Sequence, residues 1–317
     1  MDYNLTCISP ANYPDHPTEN NMTINKHLKP LLTVISVLSF FEVLLLVLAF
    51  HADFEIDTGY FQRGSVLPYV ILAIDVIICI AALMPIFVNN KYPTESDSPS
   101  LTRTQANVYA ILGTIAILLG TLGICLNTEI GINNTIRLFL GIGLTGLGVF
   151  FLPISYKDGY KYIRMKILDL VISLAIPLGV MFEGRSNFYR AFNSVENTAA
   201  TIIAVSFIIY ILNEGNRLSE ASKHSCRATA NLLHVHLGAT FPVAYIVAYI
   251  TGAVDDKAIL TIMLIFLLTS LFALASTLKM LTPEQVNSEY GECIIETSAA
   301  NETNDNQGTE DTVQPEE

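Results

Sequence analysis

Four ionisable side chains stand in stretches that are otherwise apolar. Glu42 lies in "LSFFEVLLLV", Asp75 in "ILAIDVIICI", and His234 with His236 in "NLLHVHLGATFP". A carboxyl or imidazole in such surroundings can hold a proton, bind a cation or pass a proton to a neighbour. Spacing i, i+2 turns the two imidazoles about 200° apart on a helix, so they cannot readily chelate one metal together. Either one alone can join a relay, and packing within the core is the plainer role. The five cysteines, Cys7, Cys79, Cys125, Cys226 and Cys293, are scattered without a CxxC pair or metal-ligand spacing. They predict no disulfide framework and no metal site, only small apolar or free thiols.

A second pattern suggests chemistry. Gly141-Ile-Gly143-Leu-Thr-Gly146 spells GxGxxG, the fingerprint of a dinucleotide-binding loop. Such a loop needs a strand before it, a helix after it and a βαβ unit around it. Here the flanks are uncharged from Leu138 to Tyr156, about the length of one membrane crossing. Helical spacing accounts for the glycines better. Gly141, Thr145 and Gly148 share one helix face, and Gly113, Ala116, Gly120 and Gly123 share a face of the preceding block. Two faces of small residues let helix backbones approach closely in lipid. The pattern therefore predicts a helix pair and no cofactor. HExxH, GxSxG and GxxxxGK[ST] are all absent, and no stretch outside the apolar blocks is long enough for a soluble catalytic domain. No enzyme is expected.

The positions of these residues depend on the elements that carry them. The chain has 317 residues, 51% hydrophobic and 15% charged, against about 25% charged in soluble domains. Eight apolar blocks follow one another: Pro30–Phe50, Ser65–Val88, Val108–Leu126, Leu138–Tyr156, Ile167–Phe182, Thr198–Asn213, Ala230–Gly252 and Ala258–Thr277. A crossing takes about 20 such residues, and inside lipid only a helix satisfies its own backbone. The expected fold is all-α, a polytopic transmembrane bundle of about eight spans. The fifth and sixth blocks are short, and one of them could be re-entrant. No cleavable signal peptide precedes the first block, so that span is expected to act as the insertion signal.

Charge sets the expected orientation. With the N-terminus cytoplasmic, twelve Lys and Arg fall on the inner side and five on the outer. That bias places both termini in the cytoplasm. The chain then divides into an N-terminal arm (1–29), the eight-helix domain (30–281) and a tail (282–317). The net charge of −12 belongs mostly to the tail, where Glu284 to Glu317 hold ten acids and no Lys or Arg. Its polar composition predicts disorder. No basic excess points to nucleic acid. The inner loop "YKDGYKYIRMK" interleaves tyrosines with Lys157, Lys161, Arg164 and Lys166, a headgroup anchor against anionic lipid. The outer loops contrast, with Asp53, Glu55 and Asp57 in one and Arg185 and Arg190 in another. They could pair with each other.

Within this frame Glu42 and Asp75 each lie roughly 15–18 Å into their helices, near the bilayer centre. A charged Asp at that depth costs about 2.5–3.5 kcal/mol on the insertion scale. No Lys or Arg lies within any of the eight blocks to offset it. The carboxyls are then protonated, bound to a cation, wetted by a cavity, or hydrogen-bonded to neighbours such as Ser39. Asp169 and Glu214, at the cytoplasmic ends of their spans, are expected to reach water. Two function classes follow. One is a small-solute or ion permease using Glu42 and Asp75, with His234 or His236, to carry a proton or small cation. The other is a non-transporting subunit, sensor or scaffold that meets a protein partner through its loops and acidic tail. High Ile and Asn with no Trp point to an AT-rich bacterial genome and so to a bacterial plasma membrane.

Overall fold

A computed structural model of the chain describes residues 19–88, 103–125, 133–152, 163–186, 194–218 and 224–281. The described elements are α1 (Glu19–Ala52), β1 (Phe54–Glu55), β2 (Tyr60–Phe61), α2 (Leu67–Val88), α3 (Arg103–Cys125) and α4 (Asn134–Phe151). Then come α5 (Ile163–Ser173), α6 (Ala175–Ser186), α7 (Val195–Leu218), α8 (His224–Ile250) and α9 (Lys257–Leu281). Seven of the helices are long and apolar enough to cross a membrane. The chain is a helical membrane protein in which α1 already starts at Glu19, well before its apolar block. The tail lies outside the described residues, as do Lys157 and Lys161. Arg164 and Lys166 fall in the first turns of α5.

The fifth block differs from a full span. It forms two short helices that meet at Leu174, where the Leu174 N–H bonds to Val171 O instead of continuing the regular ladder. Pro177 supplies the physical cause, because it has no N–H for the Ser173 carbonyl one turn back. The two halves run in sequence along α4. Gly146 lies against Ile172 and Asp169, Gly143 against Ile176, and Gly179 against Phe139 and Leu140. The sixth block is not short. It extends at both ends into α7, because Glu196, Asn197 and Glu214 continue the helix beyond the apolar stretch.

The small residues place α3 against α4. A Cβ on Gly120 would lie 2.5 Å from Thr145 Oγ1 and 2.7 Å from Gly141 O. One on Gly148 would lie 2.6 Å from Gly113 O, so the seam admits no side chain at either end. Ala116 is buried in it. Gly123 is outside the contact, with nothing within 4 Å of a Cβ. The three glycines of GxGxxG thus face different neighbours, Gly141 toward α3 and Gly143 with Gly146 toward α5 and α6. The only strands among the described residues are β1 and β2, an antiparallel hairpin, so no βαβ unit surrounds the glycines.

Helix α8 organises the rest. It packs against α1 and α2 on one side and α7 and α9 on the other. In α9, 67% of the span is buried, against 17% in α1 and 22% in α2, so the latter two present most of their surface outward. Phe40, Phe41, Leu48, Leu72 and Ile80 form part of that exposed apolar surface, which suits lipid and not water. The hairpin between α1 and α2 touches the start of α7, where Val195 N–H donates to Gly59 O. Gly59 has φ +72°, and a Cβ there would meet Ser194 Cβ at 3.0 Å. At the opposite end, Leu28 of α1 and Met280 of α9 share one buried cluster. Asn133, in an N-x-T sequon, accepts from Thr135 N–H as the N-cap of α4.

Candidate functional site

Three helices each contribute two polar side chains one turn apart. On α1 they are Ser39 and Glu42, on α2 Asp75 and Cys79, and on α8 His236 and Thr240. Residues three or four apart share a helix face, so each pair projects together. They converge on the His236 imidazole. Nε2 lies 2.9 Å from Asp75 Oδ1 and 3.6 Å from Glu42 Oε2. Nδ1 lies 2.8 Å from Ser39 Oγ and 3.1 Å from Thr240 Oγ1. Cys79 Sγ donates to Asp75 Oδ1 at 3.9 Å. All of this lies midway along the spans Leu28–Ala52, Leu67–Phe87 and Ser225–Ile250.

Burial is uneven. The His236 side chain is 0% exposed and that of Glu42 5%, whereas Asp75 is 30% exposed. The 2.9 Å contact to Asp75 is a hydrogen bond, and the 3.6 Å separation from Glu42 is too long for one. Glu42 Oε2 is buried without a hydrogen-bond partner among the described residues. A buried carboxylate oxygen in that position is costly unless a proton or a cation joins it. One imidazole cannot balance two ionised carboxylates, so a proton or a cation has to complete the cluster.

His234 lies on the opposite side of α8. Its Nδ1 meets Ser206 Oγ at 2.9 Å and its Nε2 meets Thr269 Oγ1 at 3.0 Å, from α7 and α9. The ring stacks on Tyr210 with centroids 5.4 Å apart and packs beside Phe207. No carboxylate contacts it among the described residues. The two imidazoles are therefore not brought together, and only His236 meets Glu42 and Asp75.

Two features escape a reading of the sequence. Cys79, which looks like a small apolar residue, faces the same cluster as Asp75. Its signal is the Asp-x-x-x-Cys spacing on one helix. Glu214 does not reach water. Its side chain is 1% exposed and pairs with the equally buried Arg227 at 3.3 Å. Helix α8 begins before its apolar block and so carries Arg227 inside. Glu214 and Arg227 sit at matching distances from the α7–α8 connection, a symmetry the sequence does contain. On the hairpin, Asp53 accepts from Ser65 and Glu55 from Thr58. Most of the loop with Arg190 lies outside the described residues.

Comparison with protein-family models, with curated proteins and with solved structures returns no match.

Proposed function

We propose that the chain is a permease for a small solute or ion, with Glu42, Asp75 and His236 as its cation- or proton-carrying group. The observation that supports this most is the convergence of the three side chains, from three helices, at mid-span depth. Ionisable groups there are costly, and function is their usual justification. The unpartnered Glu42 oxygen adds to this, since a bound cation or proton would complete the cluster. Helix α1 has the smallest buried share and α2 shares the next smallest with α3, so α1 and α2 can shift against α8 at lower cost than the interior helices. We read α5–α6 as one bent crossing, because both halves follow α4 in turn. With Leu28 and Met280 in one cluster, this reading places both ends of the bundle on the same side, the cytoplasmic one by the charge bias. The membrane would be a bacterial plasma membrane.

The test uses purified full-length protein in proteoliposomes with a trapped pH-sensitive dye and imposed proton and cation gradients. Wild type should dissipate at least one gradient faster than empty vesicles. Glu42→Gln and Asp75→Asn should not, although they insert normally. Equal flux in the variants, or none in wild type across the gradients tried, excludes the cluster as a coupling site.

A further inference from the structure

The cluster also has the donor set of a metal site. We propose that Asp75, Cys79 and His236, with Glu42 as fourth ligand, hold a divalent transition-metal ion of the zinc class. The three candidate donor atoms of Asp75, Cys79 and His236 all lie within 4.8 Å of one another. A tetrahedral ion with ligand bonds of about 2.0–2.3 Å needs donors about 3.3–3.8 Å apart. The observed separations bracket that range: 2.9 Å for Asp75 to His236, 3.6 Å for His236 to Glu42 and 3.9 Å for Cys79 to Asp75. Seating the ion draws the Cys79 thiolate inward and brings in Glu42, which stands beside His236 but is not among the three donors within 4.8 Å of one another.

Three further observations support a metal over a hydrogen-bond knot. First, the orphaned Glu42 Oε2 is buried and aimed at the same imidazole nitrogen as Asp75. Second, a second shell is in place. With an ion bound, Ser39 Oγ can accept from Nδ1–H, which gives the Nε2 lone pair to the ion in place of the hydrogen bond to Asp75. Metal-binding histidines are commonly fixed this way. Third, Asp75 and Cys79 are both part-exposed while Glu42 and His236 are buried, so the two α2 donors have room to move onto an ion held against the buried pair. The chemistry of the donors selects the ion. Thiolate and imidazole favour zinc-class metals, whereas Mg²⁺ and Ca²⁺ take oxygen ligands. With one of the two carboxyls keeping its proton, the other carboxylate and the thiolate balance a divalent charge at a depth where bare charge is costly. That the ion is cargo or coupling ion rests on the permease reading; that it binds does not.

Cobalt is the probe for binding. Co²⁺ added to full-length protein in detergent should give a thiolate-to-cobalt charge-transfer band that Zn²⁺ abolishes, at one ion per chain. A variant with Cys7, Cys125, Cys226 and Cys293 all changed to Ser should keep the band. Cys79→Ser should lose it and weaken Zn²⁺ at least about tenfold in chelator competition, while Ser39→Ala combined with Thr240→Val weakens it about tenfold through the second shell. Absence of a sulfur band in wild type, or its persistence in Cys79→Ser, overturns the metal site. Binding without flux would keep the site and end permease function; flux in metal-free protein that binds no Co²⁺ would do the reverse.

Discussion

Helix α8 has two polar faces that carry the same residue type and use it differently. His234 looks toward α7 and α9 and finds two hydroxyls and two aromatic rings. His236 looks toward α1 and α2 and finds two carboxyls, with a thiol close by. Both imidazoles are fully buried. The difference lies in what the facing helices bring. Around His234 each ring nitrogen has one neutral partner, which is a complete arrangement that holds three helices together. Around His236 a buried Glu42 oxygen is left without a hydrogen-bond partner among the described residues, and that gap invites a proton or an ion. Burial alone therefore does not mark a functional group in this bundle; an unbalanced set of partners does.

The largest effect should separate the two faces in function. His236→Gln removes the imidazole that links Glu42 and Asp75 and should abolish flux in proteoliposomes. His234→Gln can still hydrogen-bond one hydroxyl and should retain most of it. Loss of flux in both variants, on protein that elutes as a single species, would erase the distinction. The next effect concerns stability. Arg227 precedes His234 by two helical turns and faces α7 with it. Arg227→Met takes from the buried Glu214 its guanidinium partner, and should cost about 3–5 kcal/mol in denaturant titration of the solubilised protein. Adding Glu214→Leu should recover most of that, because an apolar pair needs no desolvated charge. Failure of the double variant to recover would show that the ion pair has partners beyond itself.

Much of the architecture can be read in the sequence, because a run of about 20 apolar residues folds as little else than a membrane-crossing helix. The depth of Glu42 and Asp75 follows from counting residues along such runs. The small-residue seam between α3 and α4 is legible for the same reason, as helical spacing is fixed at 3.6 residues per turn. Helix rotation is not fixed by sequence in the same way. Whether His234 or His236 meets the carboxyls depends on how α8 turns between its neighbours, and all four surrounding helices decide that. Gly123 illustrates the same limit: its spacing matches Gly120, yet it faces open space while the next residue, Ile124, packs on Gly141. Cys79 is obscured by its chemistry, since cysteine counts as apolar until a carboxyl is seen one turn away. Glu214 and Arg227 are obscured by the boundaries of the apolar blocks, which stop short of where the helices end.

A milder change sharpens the contrast further. Phenylalanine has nearly the shape of the imidazole it would replace. His234→Phe should keep the stacking on Tyr210 and lose the two hydroxyl contacts. Each hydroxyl also has a backbone carbonyl to donate to once the ring nitrogens are gone, Ser206 to Ile203 O at 2.7 Å and Thr269 to Phe266 O at 2.8 Å. The cost should thus fall near the low end for lost hydrogen bonds, about 1–2 kcal/mol. His236→Phe deprives Asp75 of its donor beside a carboxyl that already lacks one, and should cost more. Thermal unfolding of the two variants in the same detergent gives the order, and the reverse order would mean that His234 is the more demanding site.

The smallest effect tests redundancy, which only the His236 face has. Its Nδ1 lies 2.8 Å from Ser39 Oγ and 3.1 Å from Thr240 Oγ1, yet one ring nitrogen carries one proton or one lone pair. The two hydroxyls therefore compete for it, and either can serve when the other is gone. Ser39→Ala and Thr240→Val should each cost only a few tenths of a kcal/mol, whereas the double variant should cost about 1–2 kcal/mol, more than the sum. The matching cycle on the other face, Ser206→Ala with Thr269→Val, should be closer to additive, because each hydroxyl there serves a different nitrogen. Additivity on both faces would mean that Ser39 alone orients His236. In that case a single hydroxyl, with no reserve, decides which ring nitrogen is presented to Glu42 and Asp75.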